Sequence, residues 1–283
     1  MRIDVDGSRL YFDVDGVGYA IDGPSADERP TLILLHGSPG TSDHTVFKPV
    51  FRRLTDVAQI VYLDLRGSGR SDDAPDGIYS LERWADDLDA FCTQLGIDKP
   101  IVLGNSAGGM VAAMYGIRHP DGPGKLVLSS TQGRLDPQRC LDVFHRLGGD
   151  QVRDTAKKAL VDVGDMAAFA DYARVCMPFY NPTPRQAPRH TIFREPCARA
   201  FHELGGTWHT MDFLDELSNI RCPTLVLAGE DDPVTPIEDS EDMVARLDPA
   251  LVRFERFERA GHGVWIDDEA RAFAVLEDFI RSS

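Results

Sequence analysis

Apolar residues along this chain gather into short unbroken runs separated by turn-forming residues. The runs are Thr31–Leu35, Ile60–Asp64, Ile101–Leu103, Leu126–Leu128, Thr224–Leu227 and Leu251–Phe257. Runs of this length, bounded by Gly, Pro and Asp, read as strands buried on both faces, the pattern of a parallel sheet. Between them the period changes. Leu81, Trp84, Leu88, Phe91 and Leu95 recur at three- and four-residue spacing, which predicts a helix over 81–95 with one apolar face. Met110–Ile117 and Asp268–Ile280 predict two more. Strands alternating with helices place the chain in the α/β class, a mostly parallel sheet flanked by helices.

Two regions depart from the alternation. At the N-terminus, alternating segments at Ile3–Val5 and Leu10–Val14 flank Asp6-Gly7, a hairpin-turn dipeptide. The DVDG repeats at Asp4–Gly7 and Asp13–Gly16 read as turns, since no glutamate closes a twelve-residue calcium loop. Residues 22–30, rich in Gly, Pro and Asp, read as a loop. From about Gln132 to Leu217 no strand run occurs. Helical patterns lie at Pro137–Leu147, Gln151–Val161, Met166–Met177 and Ile192–Leu204, with a proline-rich break from Pro178 to Pro188. We therefore expect a core formed by residues 1–131 and 218–283 and an inserted helical cap, or lid, over 132–217. Insertions of this kind sit over a site.

Composition narrows the partners. Of the 283 residues, 42% are hydrophobic and 27% charged, as in an ordinary globular protein. The formal net charge of −16 repels phosphate backbones and anionic lipid, so neither nucleic acid nor membrane is expected as a partner. The five cysteines (Cys92, Cys140, Cys176, Cys197 and Cys222) are scattered without a CxxC pair, which argues against a disulfide framework and a structural zinc site. No apolar run reads as a leader or a membrane span. The expectation is a cytoplasmic enzyme acting on a small-molecule or short-peptide substrate.

The chemistry concentrates in three places. Gly104-Asn105-Ser106-Ala107-Gly108-Gly109 is a G-x-S-x-G element directly after one strand run and directly before a helix. Such a turn lifts a serine hydroxyl above the sheet, and small neighbours let strand and helix approach. Serine needs a base. His262, in Ala260-Gly261-His262 after the last strand run, has the position from which a loop histidine reaches the sheet edge. The base needs an orienting acid. Three follow the strand Thr224–Leu227, namely Glu230, Asp231 and Asp232. Asp232 is the first choice, and its neighbours remain alternatives. An oxyanion needs backbone donors. The N–H of Ala107 is one candidate, and the N–H of Ser38, in His36-Gly37-Ser38-Pro39-Gly40, is the other. Pro39 has no N–H to give, and His36 reads as structural.

With HGSPG at 36–40, DLRGSGRSD at 64–72, GNSAGG at 104–109, GEDDPVTP at 229–236 and AGH at 260–262, the chain resembles α/β-hydrolases of the proline iminopeptidase-like group. The resemblance implies the α/β-hydrolase fold and a serine hydrolase working through an acyl-enzyme, with Ser106, Asp232 and His262 as its triad. It implies no metal and no cofactor. It also implies an aminopeptidase or amidase whose cap acids hold the substrate's free amine, for which Glu195 and Glu203 are candidates. Trp208 is a further candidate substrate-binding residue, among the cap aromatics Phe179, Tyr180, Phe193, Phe201 and Phe213. Two departures from that group, Ser38 in place of glycine and Ala107 in place of a bulky aromatic, leave a carboxylesterase or lactonase as the alternative. A ligand-binding protein without catalysis is the alternative of another class.

Overall fold

The computed structural model describes residues 1–22, 25–184 and 191–282. It is built on an eight-stranded sheet in the order β1-β2-β6-β5-β7-β8-β9-β10. The strands are β1 (Arg2–Val5), β2 (Ser8–Asp15), β5 (Thr31–Leu35), β6 (Gln59–Leu63), β7 (Ile101–Asn105), β8 (Lys125–Ser129), β9 (Thr224–Gly229) and β10 (Val252–Phe257), with β3 (Tyr19–Asp22) and β4 (Ser25–Glu28) as a separate pair. The six strands from β5 to β10 are parallel, and β2 runs antiparallel to both β1 and β6.

The unbroken apolar runs have the cause the parallel reading requires, because each strand is covered on both sides. In β5, Ile33 and Leu35 join one apolar cluster with Trp84 and Leu88 of the helix Leu81–Leu95 and Met110 and Val111 of the helix Ala107–Arg118. Their neighbours Leu32 and Leu34 join the opposite cluster with Phe51, Phe273 and Leu276, the last two from the helix Glu269–Arg281. Strand residues alternate direction, so a strand packed on both faces cannot afford a polar position.

The N-terminal hairpin closes through Asp6 (φ 47°) and Gly7 (φ 74°), with Val5 opposite Ser8. Two positive φ values in succession match the two-residue turn that suits strand twist. The loop reading of 22–30 needs correction: β4 lies inside it and pairs with β3, Tyr19 opposite Glu28, while residues 23–24 fall outside the described residues. Its polar sequence gave no apolar signal because it does not join the main sheet.

Between β8 and β9 the described chain is helical, apart from an isolated bridge between Arg134 and Asp212. The two expected helices at 137–147 and 151–161 are one element, Pro137–Lys157, broken by non-helical Gly149 (φ 74°). Met166–Val175 and Glu195–His202 follow. Of the proline-rich break at 178–188, positions 185–188 fall outside the described residues. Phe144, Tyr172, Phe201 and Trp208 of this segment are buried in the same apolar cluster as the sheet face beneath. A helix not marked in advance, Ile237–Val244, precedes β10. Among the described residues no helix is long and apolar enough to cross a membrane.

Candidate active site

The carboxyl ends of the parallel strands converge on one place, where ligands of open α/β sheets bind. Ser106 follows β7, the His36–Gly40 loop follows β5, Asp232 follows β9 and His262 follows β10. Because β5 and β7 are neighbours in the sheet, the loop lies directly against the serine.

Ser106 adopts φ 56° and ψ −125°, a conformation that costs about 1–3 kcal/mol for a residue with a side chain. The surroundings hold it there. Its N–H donates to Ser129 O (3.0 Å), and its own carbonyl accepts from Thr131 Oγ1 (2.8 Å) and Gly109 N (2.9 Å). Glycines make the turn possible. A Cβ on Gly104 would collide with the Gly108 carbonyl, and one on Gly108 with the carbonyl of Leu35. Ser106 therefore starts the helix Ala107–Arg118, whose first N–H groups have no partner within the helix and can face negative charge.

Four donors converge on Asp232, which is buried. Oδ1 accepts from Val234 N (2.8 Å) and Thr235 N (3.0 Å). Oδ2 accepts from Thr235 Oγ1 (2.8 Å) and stands 2.9 Å from His262 Nδ1. An ionised carboxylate only accepts, so Nδ1 carries the proton and Nε2 keeps its lone pair free for a hydroxyl. The two alternatives point elsewhere. Asp231 pairs with Arg146 (2.6 Å), and Glu230 is exposed, with its carbonyl also facing Arg146. The backbone of His262 is tied to the helical segment: its N–H donates to Tyr180 O (2.6 Å), and the Tyr180 ring stands edge-on to the imidazole at 5.3 Å.

The loop after β5 is fixed from below by His36. Its Nε2 accepts from Leu65 N (3.2 Å), so Nδ1 carries hydrogen and donates to Gly37 O (2.9 Å). Burial holds this imidazole below its ordinary range, in the neutral form that the two bonds need. Ser38 has φ 48°, the left-handed region where glycine is at ease.

Ser106 and His262 open into a cavity of about 840 Å³, also lined by Ser38 and Ala107. The wall is largely apolar, with Met166, Phe169, Ala173 and Met177 from one helix and its continuation, and its polar positions are uncharged Ser, Thr and Asn side chains and the imidazoles of His202 and His262. Tyr180, Phe193, Phe201 and Trp208 contribute, while Phe179 and Phe213 do not. The hydrogen-bond pattern assigns the Gln132 amide the orientation in which its nitrogen donates to Asp239 Oδ2 (3.0 Å) and its oxygen accepts from Trp208 Nε1 (2.9 Å), which anchors the indole. Among the described residues, the lining contains no Asp, Glu, Lys or Arg. Glu195 and Glu203, expected to face a substrate amine, are not part of it. Both pair with Arg199 along the outer side of their helix, Glu195 at 2.8 Å. Three charges at four-residue spacing satisfy one another on one helix face, and the apolar face carrying Phe201 and His202 is the one turned to the cavity.

Several lining and supporting residues were not marked in the sequence. Thr235 was hidden because its role depends on a turn closing back on Asp232. The stripe Met166, Phe169, Ala170, Ala173 and Met177 had a visible signal, its helical spacing, which does not distinguish a cavity wall from packing. His202 had no signal at all.

A serine at a strained strand–helix turn, a histidine held by a buried carboxylate and a largely apolar cavity thus lie together at the carboxyl end of the sheet. The chain belongs to the alpha/beta hydrolase fold family, whose model matches residues 30–269, and it is a hydrolytic enzyme. It is 29% identical over 264 residues to a putative carbamate hydrolase RutD of Caulobacter segnis, covering 90% of this chain and 92% of that one. It is 28% identical over 274 residues to a proline iminopeptidase of Lactobacillus helveticus, covering 89% and 90%. In structure it resembles the proline iminopeptidase of Mycobacterium smegmatis, with a TM-score of 0.78 at 24% identity over 99% of this chain and 97% of the other.

Proposed function

We propose that this enzyme hydrolyses uncharged acyl substrates, esters or lactones first among them, through an acyl-enzyme on Ser106. The observation that carries the reading is the cavity lining, largely apolar and without an Asp, Glu, Lys or Arg among the described residues, into which Ser106 and His262 open. An ammonium group placed there would lose its hydration with no carboxylate to replace it.

In this reading His262 Nε2 takes the Ser106 proton as Oγ attacks the carbonyl carbon. Asp232 fixes the imidazole tautomer and stabilises its charged form. The N–H groups of Ala107 and Ser38 receive the oxyanion. His262 returns the proton to the leaving alcohol. Water, activated by the same base, then releases the acid and restores the serine. The helical segment 132–217 serves as the cap that shapes the acyl pocket.

The relatives named as a proline iminopeptidase and a putative carbamate hydrolase favour a second reading, cleavage of an amide-type bond. One assay separates the two. Turnover is measured on aryl esters from acetate to octanoate, and on a proline arylamide with its amine free or blocked. Ester turnover without cleavage of the free-amine arylamide is expected. Arylamide cleavage that disappears when the amine is blocked would overturn the uncharged-substrate reading.

A further inference from the structure

We infer that His202 is a positioning residue for the oxyanion loop, locking Ser38 in its left-handed conformation through a directed chain of hydrogen bonds. The inference rests on the serine-hydrolase reading above and adds to it the residue that holds one of its donors.

The two residues are 164 positions apart, yet His202 Nε2 lies 3.1 Å from Ser38 Oγ. Ser38 Oγ is in turn 2.6 Å from Thr41 Oγ1, and Thr41 Oγ1 donates to the carbonyl of Ser38 itself (3.1 Å). That carbonyl also accepts from Thr41 N (3.1 Å) and Ser42 N (3.0 Å), so it gathers three donors, and the Thr41 hydrogen pointing to it leaves Thr41 Oγ1 to accept. Ser38 must then donate to Thr41, and His202 Nε2 must donate to Ser38. The other ring nitrogen agrees: His202 Nδ1 is buried with no hydrogen-bond partner. A proton there would be an unsatisfied buried donor, so the proton belongs on Nε2. Burial pushes this imidazole down to about 3, so it stays neutral and keeps the single-donor form.

The ring itself has little freedom. It stacks on Phe169 (centroids 4.4 Å, 28° between planes) and meets Phe201 and Trp208 edge-on. The helix that carries it sits directly on the loop. Arg194 N donates to Gly40 O (2.7 Å), and a Cβ on Gly40 would stand 2.8 Å from Ala198 Cα. A glycine at position 38 would adopt φ 48° unaided. A serine needs the conformation enforced, and the chain from His202 through Ser38 and Thr41 back to the Ser38 carbonyl closes around the strained residue.

The test is a double-mutant cycle on a neutral aryl ester, with melting temperatures measured alongside. His202→Phe keeps the aromatic stack and removes the donor. Ser38→Ala removes the acceptor and keeps the backbone N–H. Each is expected to lower kcat by about ten- to a hundredfold, below the loss for deleting an oxyanion donor outright, with KM changed by less than about threefold. The double variant should be no worse than either single one. His202→Gln, which can present a donor at the same place, should recover most of the loss. Multiplicative losses, or an effect on KM alone, would overturn the inference while leaving the serine mechanism intact. Ester turnover that survives Ser106→Ala would instead remove the mechanism on which the inference rests. If His202→Phe fails to fold, Ser38→Ala and His202→Gln decide the matter: normal kcat in Ser38→Ala contradicts the inference.

Discussion

Gly37 and Ser106 are packed so closely that a Cβ on Gly37 would lie 2.8 Å from the Ser106 Cβ and 3.1 Å from the Asn105 carbonyl oxygen. Gly37 does not have a positive φ, so its backbone is open to any residue. Only the space forbids a side chain. Two neighbouring strands deliver the serine turn and the loop after β5 to the same point, and the absence of one methyl group lets them meet. A Gly37→Ala variant should therefore lose turnover by more than about a hundredfold, since displacing the serine or the loop by a few tenths of an ångström misaligns the attack. Its melting temperature should fall by only a few degrees, on the order of 1–3 kcal/mol of overpacking. Turnover and thermal unfolding of the same preparation check both halves.

Asp232 and Asp231 are adjacent in sequence and opposite in situation. Asp232 is buried among four donors, while Asp231 pairs with the exposed Arg146. Asp232→Asn puts an amide among groups that all donate, and lets His262 take the wrong tautomer. A loss of about 10⁴ in kcat is expected, the size known for this change in serine-protease triads. Asp231→Asn should stay within about twofold of wild type, because an exposed ion pair contributes little. Steady-state kinetics on one ester, with both variants side by side, distinguishes these outcomes.

Acid should destabilise the fold partly through His202. Its imidazole is held at about 3 by burial, against 6.5 for the free group. The unfolded chain therefore takes up a proton below about 6.5, and the folded chain does not until about 3. Unfolding stability is full above the unfolded value and declines as pH falls through it, by about 1.4 kcal/mol per pH unit for one proton. Denaturant unfolding at about pH 6 and about pH 4 should show a steeper loss for wild type than for His202→Phe, by on the order of 2 kcal/mol. Equal slopes would mean that His202 is not buried in its neutral form.

Much of this was legible in the chain. Runs such as Thr31–Leu35 predicted parallel strands because burial on both faces removes every polar position, and the sheet is built from them. The placement of Ser106 between strand and helix was readable for the same reason. What the sequence could not reveal depended on distant approach. Three acids follow β9, and only the turn through Val234 and Thr235 selects Asp232 as the partner of His262. Glu195 and Glu203 read as candidate amine ligands because charge was visible and helix orientation was not. Their rotation away from the cavity is set by Phe201 and His202 on the other face. Ser38 and His202 are 164 positions apart in the chain, and only the fold brings them to 3.1 Å. The β3–β4 pair gave little signal because it stands apart from the core sheet, each strand has only four residues, and β4 (Ser25–Glu28) is mostly polar.

Ser106 is proposed to act as a covalent nucleophile on an uncharged acyl substrate. The most direct measurement is intact-protein mass spectrometry after rapid mixing with a slowly deacylating aryl ester, with the modified peptide then mapped. A mass increase equal to one acyl group on the peptide containing Ser106, decaying as free acid accumulates and missing from Ser106→Ala, is the expected result. Steady ester turnover with no acyl adduct, or an adduct that persists in Ser106→Ala, would contradict it.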